Sequence, residues 1–161
     1  MRGYFAIGVE GISKPGNAGA LVRTAHAFGA QFVFAVGGDA DSLSQATDTS
    51  KAIGSVPFYH VPEISALSLP RHCSLIGVEI TDEAIELPRF IHPRQAAYIV
   101  GPEGDSLSRA CIARCAQVVR IPTRFAINLS LAGTIVMYDR MLSQRHWGAR
   151  KLPDKKTSPS S

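Results

Sequence analysis

The residues best equipped for chemistry fall in three short polar stretches set into an otherwise apolar chain of 161 residues. The first runs from Asn17 to Arg23, the second is Gly101-Pro102-Glu103-Gly104, and the third spans Ile121 to Ser130 and carries Asn128. An arginine grips a phosphate through paired N–H groups or stands beside a ribose hydroxyl. Asn17 and Asn128 suit helix caps, and Glu103 puts a carboxylate into a tight turn. Gly101 and Gly104 permit close approach of a ligand to the backbone, and a helix starting just after them turns its free N–H groups towards an anion. None of the three is a Gly-x-Gly-x-x-Gly fingerprint or a phosphate loop with Lys and Ser/Thr. A generic NAD- or ATP-binding protein and nucleotide hydrolysis therefore have no support.

The elements around these stretches read as a parallel α/β unit. Tyr4–Val9 is a strand, Pro15-Gly16-Asn17 a turn and cap, and Ala18, Leu21, Val22, Ala25 and Phe28 the apolar face of a helix that Gly29 ends. Gln31–Val36 is a second strand, and strand-turn-helix-strand implies a parallel sheet. Residues 37–55 form a polar loop with a short helix, 56–61 a short strand and 63–69 a short helix. Ser74–Ile80 is a buried strand, followed by an acidic turn over 81–86 and a proline-bounded connection to Pro93. Gln95–Val100 is an apolar strand running straight into the second polar stretch. A helix over about 106–115, capped by Asp105 or Ser106, leads to the strand Gln117–Arg120. Ile121-Pro122 stops that strand, because proline has no N–H for the ladder. A final helix over about 128–145 follows, with Leu131, Ile135 and Tyr138 recurring at helical spacing. Each polar stretch follows a strand, and in parallel sheets the loops at strand C-termini form the ligand crevice.

The length suits one domain, over residues 1–147, with a basic, Pro/Ser-rich tail over 148–161 read as disordered. Hydrophobic residues make up 45% and charged residues 19%, and no apolar run approaches the roughly 20 residues of a membrane span. The N-terminus has no signal-peptide pattern, so a cytoplasmic location is expected. The net charge of +4 leans towards a polyanionic partner. Cys73, Cys111 and Cys115 read as reduced thiols. Cys111 and Cys115 stand one helical turn apart, but share a stripe with Leu107 and read as core residues rather than metal ligands. No metal is expected. The histidines at 26, 60, 72, 92 and 146 are scattered and carry no assigned chemistry.

In order, NAGALVRTAHAFGA, YIVGPEGDSLS and VRIPTRFAINLSLAGTIVMYDRM resemble motifs one, two and three of the SpoU/TrmH-type RNA ribose methyltransferases of the SPOUT superfamily. The resemblance covers about Tyr4 to Met141. It implies a mostly parallel sheet flanked by helices, a C-terminal deep trefoil knot and a homodimer. It also implies S-adenosylmethionine held by Val78, Glu79, Val100, Gly101, Gly104, Ile121, Pro122 and Leu129. Asn17, Arg23, Glu103, Asn128 and Ser130 match the polar motif positions, with Arg23 nearest the chemistry. The implied reaction is in-line transfer of a methyl group to a ribose 2′-hydroxyl of tRNA or rRNA. Base-nitrogen methylation by the same fold, and a non-catalytic RNA-binding protein, stand as alternatives. Two departures mark the chain. Residues 123–127 hold few serines or glycines, and no extra N-terminal RNA-binding domain is expected. RNA contact then falls to the domain surface, the dimer and basic residues such as Arg145, Arg150, Lys151, Lys155 and Lys156.

Overall fold

Seven strands form one sheet in which each pairing is parallel, in a computed structural model that describes residues 3–12, 14–39, 41, 56–102 and 104–145. They are β1 (Tyr4–Glu10), β2 (Val33–Val36), β3 (Phe58–Val61), β4 (Ser74–Val78), β5 (Ile85–Glu86), β6 (Gln95–Val100) and β7 (Gln117–Arg120), in the spatial order β3-β2-β1-β6-β4-β7-β5. Three helices lie wholly within the described residues, α1 (Pro15–Phe28), α2 (Arg109–Arg114) and α3 (Leu129–Gln144), with single 3₁₀ turns at Ile64–Ala66 and Leu87–Arg89.

The strands β1, β2, β4 and β6 are apolar on both sides because both faces of the sheet are covered there, as parallel sheets require. Phe5, Ile7 and Val9 of β1 face one core cluster, which includes Leu21 and Val22 of α1 and Val136 and Met137 of α3. Ala6 points the other way, into a cluster with Phe34, Ile99, Ile64, Leu107 and Cys111. On the first face α1 packs against α3, and the contact is close. A Cβ at Gly133 would stand 2.9 Å from a Leu21 methyl and 3.0 Å from an Ile7 methyl.

Several local expectations change. Helix α1 begins at Pro15 behind Lys14, so Asn17 lies inside the first turn rather than at the cap. Proline suits that first turn because its missing N–H has no intrahelical partner there. The stretch expected as an acidic turn contains β5, whose Ile85 and Glu86 pair with Val119 and Arg120. A two-residue edge strand carries no periodicity to read. The basic tail and most of the 37–55 loop lie outside the described residues. Among the described residues, no helix is long and apolar enough to cross a membrane.

Candidate active site

The parallel register brings three chain exits side by side. Val78 pairs with both Val100 and Val119, so Glu79, Gly101 and the segment after Arg120 leave the sheet from adjacent strands at the same edge. The order reverses here: β1, β2 and β3 step out one way, and β4 resumes beyond β6. Such a switch point opens a crevice outside the strand ends.

A cavity of about 410 Å³ occupies it, within the roughly 300–1,000 Å³ common for small-molecule sites. Val78, Glu79, Ile80, Val100, Gly101, Pro102, Gly104, Asp105 and Ser106 line it from the ends of β4 and β6. Ile121, Thr123, Ala126 and Ile127 close it from the segment after β7, and Leu129 and Ala132 from the first turns of α3. Of the residues the family resemblance assigns to the cofactor, only the exposed Pro122 is not in this wall. The chain turns there, and Thr123 takes its place.

Two carboxylates shape the 101–108 loop. Glu79 accepts the Ile80 N–H at 2.9 Å with one oxygen and the Leu107 N–H at 2.7 Å with the other. Glu10, at the end of β1, accepts both the N–H and the hydroxyl of Ser108, at 2.7 and 2.6 Å. The helix does not begin at residue 106 as expected, because Ser108 keeps an extended backbone at φ −61°, ψ 154°. It starts at Arg109, and Ser108 is its cap, accepting the Cys111 N–H at 3.1 Å. Asp105 instead accepts the Ser106 N–H at 2.8 Å. Gly101 lies under this loop, where a Cβ would sit 3.2 Å from the Leu107 nitrogen, and Gly104 adopts φ 77°.

Beside the cavity the first and third polar stretches meet. Asn128 caps α3, its Oδ1 accepting the N–H of Ser130 at 2.9 Å and of Leu131 at 3.4 Å. The Ser130 hydroxyl donates to the same oxygen at 2.6 Å, and the Asn128 amide donates to Asn17 Oδ1 at 3.3 Å. These three polar residues therefore form one hydrogen-bonded chain. Arg23 is exposed on α1, outside the cavity wall and without a hydrogen bond or ion pair among the described residues. Glu103 lies outside the described residues.

The opposite end of the strands holds a polar cluster that sequence reasoning missed. Arg140, 5% exposed, donates to the carbonyls of Tyr4, Pro93 and Arg94 and to the Tyr98 hydroxyl. His92, whose side chain is 0% exposed, lies 2.6 Å from the Tyr98 hydroxyl through Nδ1 and 2.8 Å from Asp139 through Nε2. A proton on Nε2 satisfies the row: Arg140 donates to Tyr98, Tyr98 to His92, and His92 to Asp139. Burial lowers the His92 pKa against the opposing pull of Asp139, and burial pushes the Tyr98 hydroxyl up to about 12. Arg140 shares the inward stripe of α3 with Leu129, Gly133, Val136 and Met137; a charged residue on that stripe was the available signal. Leu131, Ile135 and Tyr138, the stripe read from the sequence, face outward at 57%, 39% and 46% exposure.

Comparison with known proteins adds the family. Residues 4–138 match the model of the SpoU rRNA Methylase family. The 23S rRNA (guanosine-2′-O-)-methyltransferase RlmB of Neisseria meningitidis is 31% identical over 140 residues, covering 80% of this chain and 54% of that protein. The chain thus spans about half the length of the curated relatives it matches. The SpoU methyltransferase AviRb from Streptomyces viridochromogenes, solved with the cofactor AdoMet, superposes with a TM-score of 0.74 at 22% identity over 90% of this chain and 60% of that one. A chain from a structure of 2-OH methylation of C/U34 on tRNA superposes at 0.72 and 22% identity, covering 89% of this chain and 92% of that one. The protein belongs to the SpoU rRNA methylase family.

Proposed function

We propose that this SpoU-family chain transfers a methyl group from S-adenosylmethionine to a ribose 2′-hydroxyl of structured RNA, tRNA or rRNA. The observation that carries the reading is the cavity at the ends of β4, β6 and β7. Its wall contains Val78, Glu79, Val100, Gly101, Gly104, Ile121 and Leu129, all but Pro122 of the residues that the family resemblance assigns to the cofactor. Apolar walls beside strand-end backbone groups suit a nucleoside-bearing ligand of this size. The donor supplies an already activated sulfonium methyl.

What the chain must add is position and proton handling. Asn17, Asn128 and Ser130 form a fixed polar edge where α1 meets the start of α3, suited to orienting a ribose. Arg23 is the residue of the first motif proposed nearest the attacking oxygen, holding an RNA phosphate or charge developing in the transition state. Glu103 joins it as the carboxylate of the second motif. As the 2′-oxygen bonds to the methyl carbon, the carbon–sulfur bond breaks and the hydroxyl proton passes to an RNA phosphate or to water.

The reading includes one domain over 1–147, the deep trefoil knot of the family in its C-terminal half, and a cytoplasmic homodimer. The outward Leu131, Ile135 and Tyr138 stripe supports the dimer, because a second copy would cover it.

The test is methyl transfer from labelled S-adenosylmethionine to total RNA from cells lacking the protein, digested to nucleosides. Label in a 2′-O-methylated nucleoside, abolished by Arg23→Ala, is the expected result. Label on a base nitrogen would overturn the ribose assignment. Cofactor binding without transfer would support a non-catalytic RNA-binding role.

A further inference from the structure

The segment between β7 and α3 forms one wall of the cavity, yet it turns its largest side chain away from it. Phe125 is 76% exposed, while Thr123 before it and Ala126 and Ile127 after it line the cavity. The loop is held at both ends. The Thr123 hydroxyl donates to the Phe125 carbonyl at 2.9 Å, and the Thr123 N–H to the Ile121 carbonyl at 2.7 Å. Beyond it, Asn128 caps α3. The phenyl ring is therefore presented to solvent by a braced turn. Arg124, next to it, is exposed and has no hydrogen bond or ion pair among the described residues.

An exposed aromatic ring next in sequence to an exposed guanidinium, unpaired among the described residues, matches the chemistry of single-stranded nucleic acid. Bases stack on the ring, and phosphates pair with the cation. A nucleotide drawn out of a regular helix to bring its ribose to the cavity leaves a base in need of a new stacking partner. We propose that Phe125 is the stacking platform for an unpaired base at or next to the target nucleotide, with Arg124 on the adjoining phosphate. This rests on the methyltransferase reading for the identity of the RNA, but the binding it requires stands apart from catalysis. A second copy of the chain could also cover the ring. The adjacent cation and the position beside the cavity favour RNA over the outward α3 stripe as its partner.

The test measures binding of a fluorescein-labelled random single-stranded RNA 12-mer to the full chain by anisotropy. Phe125→Ala, Phe125→Trp and Arg124→Ala are compared with the unaltered protein, alongside calorimetry with S-adenosylmethionine and sedimentation. Phe125→Ala is expected to weaken RNA binding about tenfold or more, while Phe125→Trp keeps it, and neither changes cofactor affinity or assembly state. Arg124→Ala should weaken it less and flatten its salt dependence. RNA affinity of Phe125→Ala within twofold of the unaltered chain, or no RNA binding by that chain, would overturn the proposal. So would a change in sedimentation with Phe125→Ala, which would assign the ring to a protein interface. If Phe125→Ala loses RNA while the unaltered chain binds no S-adenosylmethionine, the platform stands and the methyltransferase reading fails.

Discussion

Asn128 donates its side-chain amide to Asn17 Oδ1 at 3.3 Å, joining two polar stretches 111 positions apart. The same side chain caps α3, so one residue both starts a helix and locks the edge of the cavity. The two roles separate by mutation. Asn128→Asp keeps the capping oxygen and loses the amide donor; Asn128→Ala loses both. Thermal unfolding should place Asn128→Ala about 1 kcal/mol below the native protein and Asn128→Asp close to it. Methyl transfer should fall in both.

Arg23 is exposed and has no hydrogen bond or ion pair among the described residues. Arg23→Ala should therefore leave stability within about 0.5 kcal/mol of the unaltered protein. Transfer of label to RNA should drop about a hundredfold or more. A stable protein with undiminished activity would remove Arg23 from the mechanism.

Glu79 holds the cavity roof by accepting the N–H of the buried Leu107. Glu79→Ala leaves that donor unsatisfied, at a cost of about 1–3 kcal/mol, and loosens the loop over the cavity. Glu79→Gln retains an acceptor oxygen. Calorimetry with S-adenosylmethionine should show the larger loss of affinity in Glu79→Ala, with partial recovery in Glu79→Gln.

His92 makes stability depend on pH. Its folded pKa lies below the ordinary 6.5, chiefly through burial, with Arg140 pushing the same way and Asp139 opposing. The unfolded chain thus binds a proton more readily than the folded one. The contribution is complete above about pH 6.5 and is lost as the pH falls through the lower folded value. Protonation would also put a second donor on the Tyr98 hydroxyl, which already accepts from Arg140. Melting curves from pH 7.5 to 5 should fall more steeply for the native protein than for His92→Gln.

Ile135 sits at the middle of the outward stripe on α3, 39% exposed between Leu131 and Tyr138. Ile135→Glu puts a charge where a second copy is proposed to pack. Sedimentation should show monomers with an unchanged circular dichroism spectrum.

Much of the architecture was legible from local pattern. The apolar runs Tyr4–Val9 and Gln95–Val100 read as strands and are strands, and Ala18, Leu21, Val22 and Ala25 form the buried face of α1 as their spacing predicts. Helix starts were read less well. The Ser108 cap sets the start of α2 at Arg109, and Pro15 places that of α1 ahead of Asn17.

By itself the sequence determined the parallel α/β class, the polar stretches at strand ends and, through their order, the family. These depend on residue type and spacing over a few turns of chain, where propensity and periodicity act directly. Only the tertiary structure decided which side of α3 faces the core, that Arg140 and His92 are buried, and that Asn17 meets Asn128 while Arg23 stands apart. Those outcomes come from long-range packing: Gly133 lets α3 close onto Leu21 and Ile7, and that contact sets the rotation of the helix. An amphipathic pattern with apolar residues on two sides cannot specify that rotation alone.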